Sequence, residues 1–340
     1  MAERRVERTG QIMFKKKLGF LLGVMVLLSL AGWLVCLSLG SSKQINKDGE
    51  FLLVTSFYPM YVLAENLTAG VGDVTVSNLT ENQTGCLHDY QLTSLDMKLL
   101  NRADAFLVNG AGMELFMEKV IKNNAELPVI EASHGILLLE GVAHEHTEET
   151  DHEPEHEDGH DEEVRDGHNH DHEENGHVWM DVERYRMQLS TVAKEIQTLL
   201  PEQADALAQA ASVYDEKLAV LAAGVNDLKE HTEGTHVVIF HEAFAYLAES
   251  LGMEVLMALS LDEETVPSAG EIAEVIEDIK YHGAALVFIE KAHASYADKI
   301  VAETEARVVY LSPLTTGDGA ADSYLSGMWE NLSAIRQAVE

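Results

Sequence analysis

The stretch HVVIFHEAFAYLAESLGMEVLMAL, residues 236–259, contains the repeating unit of the fold. Its first five residues are mostly β-branched or aromatic, which predicts a buried strand. The next residues, EAFAYLAESLG, predict a helix that ends at a glycine, and MEVLMAL predicts a second strand. A strand, a helix and a strand in this order indicate a parallel sheet with helices on its faces.

The same alternation occupies both halves of the chain. In the first half, FLLVTSF (51–57) predicts a strand, PMYVLAENLTAG (59–70) a helix and VGDVTVSNL (71–79) another strand. In the second half, the alternation runs from residue 236 to a closing helix, DSYLSGMWENLSAIRQAV (322–339). We therefore predict an α/β fold with two lobes, each containing a parallel sheet packed between helices.

Two helical stretches, residues 181–199 and 201–231, separate the two halves. The second is rich in alanine and has no proline after Pro201, so it predicts a long rigid helix that joins the lobes. The predicted organisation is a basic N-terminal region (1–17), an apolar segment (18–40), a polar tether (41–50), an N-terminal lobe (51–180), a helical connector (181–230) and a C-terminal lobe (231–340).

The N-terminus combines a basic segment with an uncharged apolar run, which is typical of an export signal or a membrane anchor. The positive-inside rule then places the remainder on the outer face of a bacterial cytoplasmic membrane. Cys36 lies at the end of the apolar run, where bacterial lipoproteins carry their lipidated cysteine. Val35 stands where such sites usually have a small residue, so a lipoprotein and an uncleaved anchor remain alternatives. Two cysteines imply no disulfide framework.

Residues 144–177 hold nine of the chain's sixteen histidines together with fifteen acidic residues. Such a stretch cannot bury enough apolar surface to order itself, so we predict a disordered loop over residues 144–176. Its many histidines indicate that it binds metal ions. The segment HEPEH (152–156) fits a zinc-protease motif, but Pro154 interrupts the helix that the motif requires. The net charge of −35 argues against nucleic acid and raises the local concentration of cations.

Three histidines lie at junctions between loops and predicted elements: His88 in TGCLHDYQLT, His177 in GHVWMD, and His241 directly after the strand HVVIF. Ligands of open α/β sheets bind beyond the carboxyl ends of strands, and three imidazoles can hold Zn²⁺. A histidine at a strand end is also a common polar cap. Spacing alone therefore does not distinguish these three from His134, His231, His236, His282 and His293.

Six segments resemble the zinc-specific solute-binding proteins of bacterial ABC importers, the ZnuA/AdcA-like family: TSFYPMYVLAENL, LHDYQLT, ADAFLVNGAGME, GHVWMD, HEAFAYLAESLG and SYLSGMWENL. The resemblance extends from about residue 50 to the C-terminus. It implies that His88, His177 and His241 bind the metal in a cleft between the lobes. It also implies that Zn²⁺ is a transported ligand rather than an enzyme's cofactor, and that a monomer delivers it to a membrane permease with an ATPase.

The chain departs from the family pattern at the fourth ligand. Thr315 and Thr316 stand where many relatives carry a carboxylate, so water, Asp318 and Cys86 remain candidates. Two other functions are alternatives to transport. A metal-stabilised adhesin could use the same fold. An extracellular zinc hydrolase would need a general base such as Glu242, but Ala245 stands where a second helical histidine would be required.

Overall fold

A computed structural model describes residues 50–80, 87, 90–123, 125–141, 174–259 and 268–340. The first lobe contains, in chain order, β1 (Phe51–Thr55), α1 (Tyr58–Leu67), β2 (Val74–Asn78), α2 (Ser94–Leu100), β3 (Ala105–Val108), α3 (Glu118–Asn123) and β4 (Val129–Glu131). The four strands are parallel and lie in the order β2-β1-β3-β4. Every residue of β1 and β3 is buried, as their continuous apolar runs predict for central strands covered on both faces.

The segment between the lobes contains a short ribbon and two long helices. The ribbon pairs β5 (Leu139–Glu140) with β6 (Glu174–Asn175) in antiparallel fashion. Helices α4 (Val182–Leu199) and α5 (Ala204–Thr232) follow. The 29 residues of α5 span roughly 44 Å at 1.5 Å per residue, and α5 packs against α1 and against the last helix of the chain. The predicted long connecting helix is therefore confirmed.

The second lobe repeats the architecture of the first. Its elements are β7 (His236–Ile239), α6 (Ala243–Ser250), β8 (Glu254–Ala258), α7 (Ala269–His282), β9 (Leu286–Ile289), α8 (Ala294–Glu303), β10 (Arg307–Tyr310) and α9 (Ser323–Val339). The strands are parallel and lie in the order β8-β7-β9-β10. In both lobes the second strand lies on one side of the first and the third on the other. This arrangement creates a switch point at the carboxyl ends of β1 and β3 and of β7 and β9.

Local sequence explains where the helices begin and end. Helix α7 begins with a capping box, in which the Ser268 hydroxyl accepts from the backbone of Glu271 and the Glu271 carboxylate accepts from the backbone of Ser268. It ends at Gly283, whose φ of 70° lies in the left-handed region that favours glycine. The segment SAGEIAEVIEDIKYHG (268–283) carries both signals, so its sequence predicts the two boundaries.

Two details differ from the sequence interpretation. The segment MELFMEKVIKNNAEL (113–127), whose sequence pattern predicts one helix, contains a 3₁₀ turn (Leu115–Met117) followed by the short α3. The disordered loop was predicted to extend to residue 176. Instead, its last residues form β6, because pairing with β5 satisfies their backbone, and Asn175 is buried. Residues 142–173 lie outside the described residues.

The predicted N-terminal segment 18–40 and Cys36 also lie outside the described residues. Within the described ranges, no helix combines the length and the apolar character needed to cross a membrane. The domain limits given above stay a prediction.

Candidate metal centre

His241 lies at the switch point of the second lobe. It follows β7 by two residues, and Glu290 directly follows the neighbouring strand β9, so the parallel register brings the two side chains together. The imidazole Nδ1 is 2.7 Å from Glu290 Oε1, and His241 is almost fully buried. A carboxylate can only accept, so Nδ1 carries a proton, and in the neutral ring Nε2 then carries the lone pair. This is the tautomer that a metal-binding histidine needs, with a carboxylate that raises its basicity.

His177 lies between β6 and a 3₁₀ turn (Val178–Met180), and it too is almost fully buried. Its backbone N–H and its Nδ1 both contact Asn175 Oδ1, at 3.0 and 2.9 Å. The Asn175 amide nitrogen donates to the carbonyl of Glu242 at 3.0 Å, which fixes the orientation of the amide. Asn175 Oδ1 must then be an acceptor, so Nδ1 of His177 also carries the proton.

The two imidazole rings converge from different parts of the chain. Their centroids are 5.0 Å apart and their planes are inclined by 84°. The ring centroids of Trp179 and His177 are 5.2 Å apart, and those of Phe244 and His241 are 5.8 Å apart. Each histidine therefore packs against an aromatic side chain. The Trp179 indole is fixed by donating to the carbonyl of Pro313 at 2.8 Å. Two buried histidines whose rings lie this close, each with Nδ1 hydrogen-bonded to an oxygen, suit a transition-metal ion.

The structure brings together two of the three predicted ligands. The third, His88, lies outside the described residues, as does Cys86. Among the described residues, no group of three or more His, Cys, Asp or Glu side chains could hold a metal ion. Asp318 is exposed, and its Oδ1 accepts from the backbone of Ala320 at 3.0 Å. Asp318 lines a cavity of about 350 Å³ beside Tyr58, Thr315 and Thr316, and neither His177 nor His241 is among the lining residues described.

A buried polar network supports the centre from the first lobe. Glu114 Oε1 accepts from the Ser56 hydroxyl and from the Asn109 backbone, both at 2.7 Å, and its Oε2 accepts from the Gly110 backbone at 3.0 Å. Ser56 and Asn109 directly follow β1 and β3, at the switch point of this lobe. Burial raises the pKa of Glu114 to about 7, although the hydrogen bonds lower it.

The same network reaches the residue that precedes His177. The Asn109 amide donates to the carbonyl of Gly176 at 2.9 Å, and Gln188 donates to Asn109 Oδ1 at 2.8 Å. Gly176 has no room for a side chain, because a Cβ atom there would lie 2.8 Å from the carbonyl oxygen of Ala111. The loop after β3 therefore forms a close-fitting support for the His177 segment.

Sequence reasoning missed the supporting residues Asn175, Glu290 and Glu114. For Glu290 a signal was available, since it follows a buried strand in the same way as His241. Asn175 sits at the end of the acidic, His-rich stretch, whose composition predicted disorder. Glu114 lies in the loop NGAGME, where an acidic residue would ordinarily be exposed.

Relatives of known sequence carry zinc in their names. The chain is 28% identical over 328 residues to the zinc-binding protein AdcA of Streptococcus pyogenes, with 92% of this chain and 61% of AdcA covered. It therefore spans about three fifths of the length of that relative. It is 26% identical over 339 residues to the high-affinity zinc uptake system protein ZnuA of Bacillus subtilis, with 96% of this chain and 99% of ZnuA covered.

Solved structures share the fold. The Zn(II)-bound AdcA of Streptococcus pneumoniae superposes with a TM-score of 0.67 at 24% identity, over 86% of this chain and 58% of that one. The family model described as zinc-uptake complex component A, periplasmic, matches residues 53–338. This match covers both lobes and the helices between them. The chain belongs to the zinc-uptake complex component A (ZnuA) family.

Proposed function

We propose that this chain is an extracytoplasmic zinc-binding protein that captures Zn²⁺ and delivers it to the permease of an ABC importer. One observation carries the proposal. Two buried histidines, His177 and His241, meet at a ring-centroid distance of 5.0 Å, and each has Nδ1 hydrogen-bonded to an oxygen acceptor. Both Nε2 atoms then have the lone pair that binds a metal. Membership of the zinc-uptake family and the zinc-binding names of its relatives support the choice of ion.

His88 is the third ligand in this proposal, with water, Asp318 or Cys86 in the fourth position. Neutral imidazoles suit Zn²⁺, whereas Mg²⁺ and Ca²⁺ prefer sets of oxygen ligands. His177 enters the centre from the segment that ends the His-rich stretch, and His241 from the sheet of the second lobe. A shift of one lobe against the other would move at least one ligand away from the others and release the ion, as a delivery protein requires.

The remaining parts of the proposal concern the chain's location and partners. Either the apolar segment 18–40 or a lipid on Cys36 anchors a monomer to the outer face of the cytoplasmic membrane, near a permease with a cytoplasmic ATPase. The protein has no catalytic role and binds no nucleic acid. The His-rich stretch collects zinc weakly and raises its concentration near the centre, because its many histidines offer many combinations of ligands.

Zinc uptake by living cells tests this function. We expect cells that lack the gene to accumulate less radiolabelled zinc from zinc-poor medium, and the wild-type gene to restore uptake. His241→Ala should not restore it. His236→Ala is the matched control, because this histidine lies at the opposite end of β7, where it is half-buried and its Nε2 lies 3.2 Å from Glu254 Oε2.

Unchanged uptake in cells without the gene would refute transport. Loss of a surface hydrolase activity with normal uptake would favour the zinc hydrolase. Loss of attachment with normal uptake would favour the metal-stabilised adhesin.

A further inference from the structure

Asn175 joins the base of the His-rich stretch to the metal centre. It is the last residue of β6 and pairs with Leu139 of β5, so it stands at the base of the segment that connects the two strands. Its backbone carbonyl accepts from the Tyr246 hydroxyl at 2.7 Å, and the same hydroxyl accepts from the Leu139 backbone at 3.0 Å. Tyr246 belongs to α6 of the second lobe, so both strands of the ribbon are bound to that lobe.

The Asn175 side chain connects the two histidine segments. Its Oδ1 accepts twice from His177, and its Nδ2 donates to the carbonyl of Glu242, the residue after His241. Asn175 is only 2% exposed, so water cannot easily replace the hydrogen-bond partners of its side chain. An amide provides an acceptor and a donor on one rigid plane. The acceptor oxygen binds His177 twice, and the donor nitrogen binds the carbonyl of Glu242.

We propose that Asn175 is a positioning residue that holds His177 in its metal-binding tautomer and ties the His177 segment to the His241 segment. The ribbon at the base of the His-rich stretch thereby sets the geometry of the centre. The effect on zinc affinity rests on the proposed function, whereas the effect on the tautomer does not require zinc.

Three substitutions separate these roles. Asn175→Ala removes the acceptor and the donor, and Asn175→Leu does the same while filling the space with a side chain of similar size. Asn175→Asp keeps an acceptor for His177 but cannot donate to Glu242. Asn66→Ala is the matched control. Asn66 is also buried and also donates across the lobes, to the carbonyl of Ala321 at 2.8 Å, but the hydrogen bonds of its side chain involve no histidine.

The experiment measures two quantities on the full-length protein. The first is the ¹⁵N spectrum of the zinc-free protein with labelled histidine, with the His177 signals assigned by comparison with His177→Gln. The second is the dissociation constant for Zn²⁺, measured by competition with a chelator. The wild type should show the Nδ1–H tautomer at His177. Asn175→Ala and Asn175→Leu should shift this ring towards the Nε2–H tautomer and weaken zinc binding by roughly 10–100-fold.

Asn175→Asp should keep the wild-type tautomer and recover part of the lost affinity, and Asn66→Ala should change neither quantity. An Nε2–H tautomer at His177 in the wild type would overturn the proposal whether or not the variants fold. Wild-type tautomer and affinity in folded Asn175→Ala or Asn175→Leu would also overturn it. Weak zinc binding by the wild type, with the expected tautomers, would refute the proposed function and leave the positioning role of Asn175 intact.

Discussion

Glu114 is a buried carboxyl group whose charge depends on pH near neutrality. Its pKa of about 7 lies above the ordinary value of 4.5 because burial penalises the carboxylate. The folded chain therefore binds an extra proton between about pH 4.5 and 7, which the unfolded chain does not bind. The contribution of Glu114 to the free energy of unfolding is fully present below its pKa in the unfolded chain, about 4.5, and is lost as the pH rises through 7. The loss amounts to about 3 kcal/mol, at 1.36 kcal/mol per pKa unit.

The substitution Glu114→Gln should remove this pH dependence. The variant is expected to be less stable than the wild type at pH 5, because its amide nitrogen would face the backbone N–H of Gly110. The difference between the two proteins should shrink by about 3 kcal/mol between pH 5 and pH 8. Urea denaturation of both zinc-free proteins at the two pH values measures it. A difference that does not change with pH would show that Glu114 is ionised throughout this range.

Only some residues of the candidate metal centre could be predicted from the sequence. His177 and His241 could be predicted as ligands because their segments, GHVWMD and HEAFAYLAESLG, resemble those of the zinc-binding family. Residue type and spacing alone did not separate them from the other histidines. Glu290 carried a signal, because it directly follows a buried strand, but Asn175 could not be predicted. Its role depends on contacts between distant segments, such as the one with Glu242, 67 positions further along the chain. An asparagine in an acidic stretch has no feature that indicates burial. The ligation by His88 stays a prediction.

Helices α5 and α9 pack so closely that one position between them requires glycine. A Cβ atom at Gly224 of α5 would lie 2.3 Å from the ring of Trp329 on α9. We expect Gly224→Ala to destabilise the protein by roughly 1–2 kcal/mol, because overpacking costs about 1–3 kcal/mol and alanine recovers up to about 1 kcal/mol of helix propensity. Urea denaturation with and without Trp329→Ala measures the coupling between the two positions.

Gly270→Ala provides the control for helix propensity. A Cβ atom at Gly270 in α7 would meet only the Ser268 hydroxyl, at an ordinary 3.6 Å, so this substitution should stabilise the protein by up to about 1 kcal/mol. Equal effects of the two glycine substitutions would contradict the close packing of α5 and α9.

The ribbon β5–β6 determines how the His-rich stretch can be removed. Glu140 and Glu174 are paired, so a short Gly-Ser turn can replace residues 142–173 without separating the strands. Asn175 must remain, since it supports His177. We expect this variant to fold and to bind one Zn²⁺ tightly, while the additional weaker ions disappear. Zinc stoichiometry by equilibrium dialysis, at neutral pH and near pH 6 where free imidazoles become protonated, compares it with the wild type. Equal stoichiometry in both proteins would mean that the stretch is only an acidic linker.

The sequence pattern predicted the strands of both sheets because each is an apolar run between clear breaks. The ribbon could not be predicted in this way. Its strands have two residues each and are separated by 33 residues in the chain, so no alternating pattern is long enough to detect. Tertiary contacts, including the Tyr246 hydroxyl, stabilise it instead. Sequence composition therefore predicted disorder over both residues of β6.

For the whole molecule, two lobes with the same strand order each place a switch point near the centre. The second lobe contributes His241 with its carboxylate partner, and the first supports His177 through the loop after β3. If the proposed ligands hold a zinc ion, the ion binds the folded chain, in which they lie together, and not the unfolded chain. Zinc at 100 times its dissociation constant should therefore stabilise the fold by about 2.7 kcal/mol. A melting temperature that does not rise with zinc concentration would contradict this linkage.

The most direct test of the account is the zinc affinity of the protein with residues 142–173 replaced, measured by competition with a chelator of known affinity. This variant isolates the centre from the eight histidines of the replaced stretch. We predict one tightly bound Zn²⁺ per chain, and a loss of more than about 100-fold in affinity for each of His88→Ala, His177→Ala and His241→Ala, since a ligand contributes more than a residue that supports it. His236→Ala should retain full affinity. Unchanged zinc affinity in His177→Ala and His241→Ala would contradict the assignment of the metal centre.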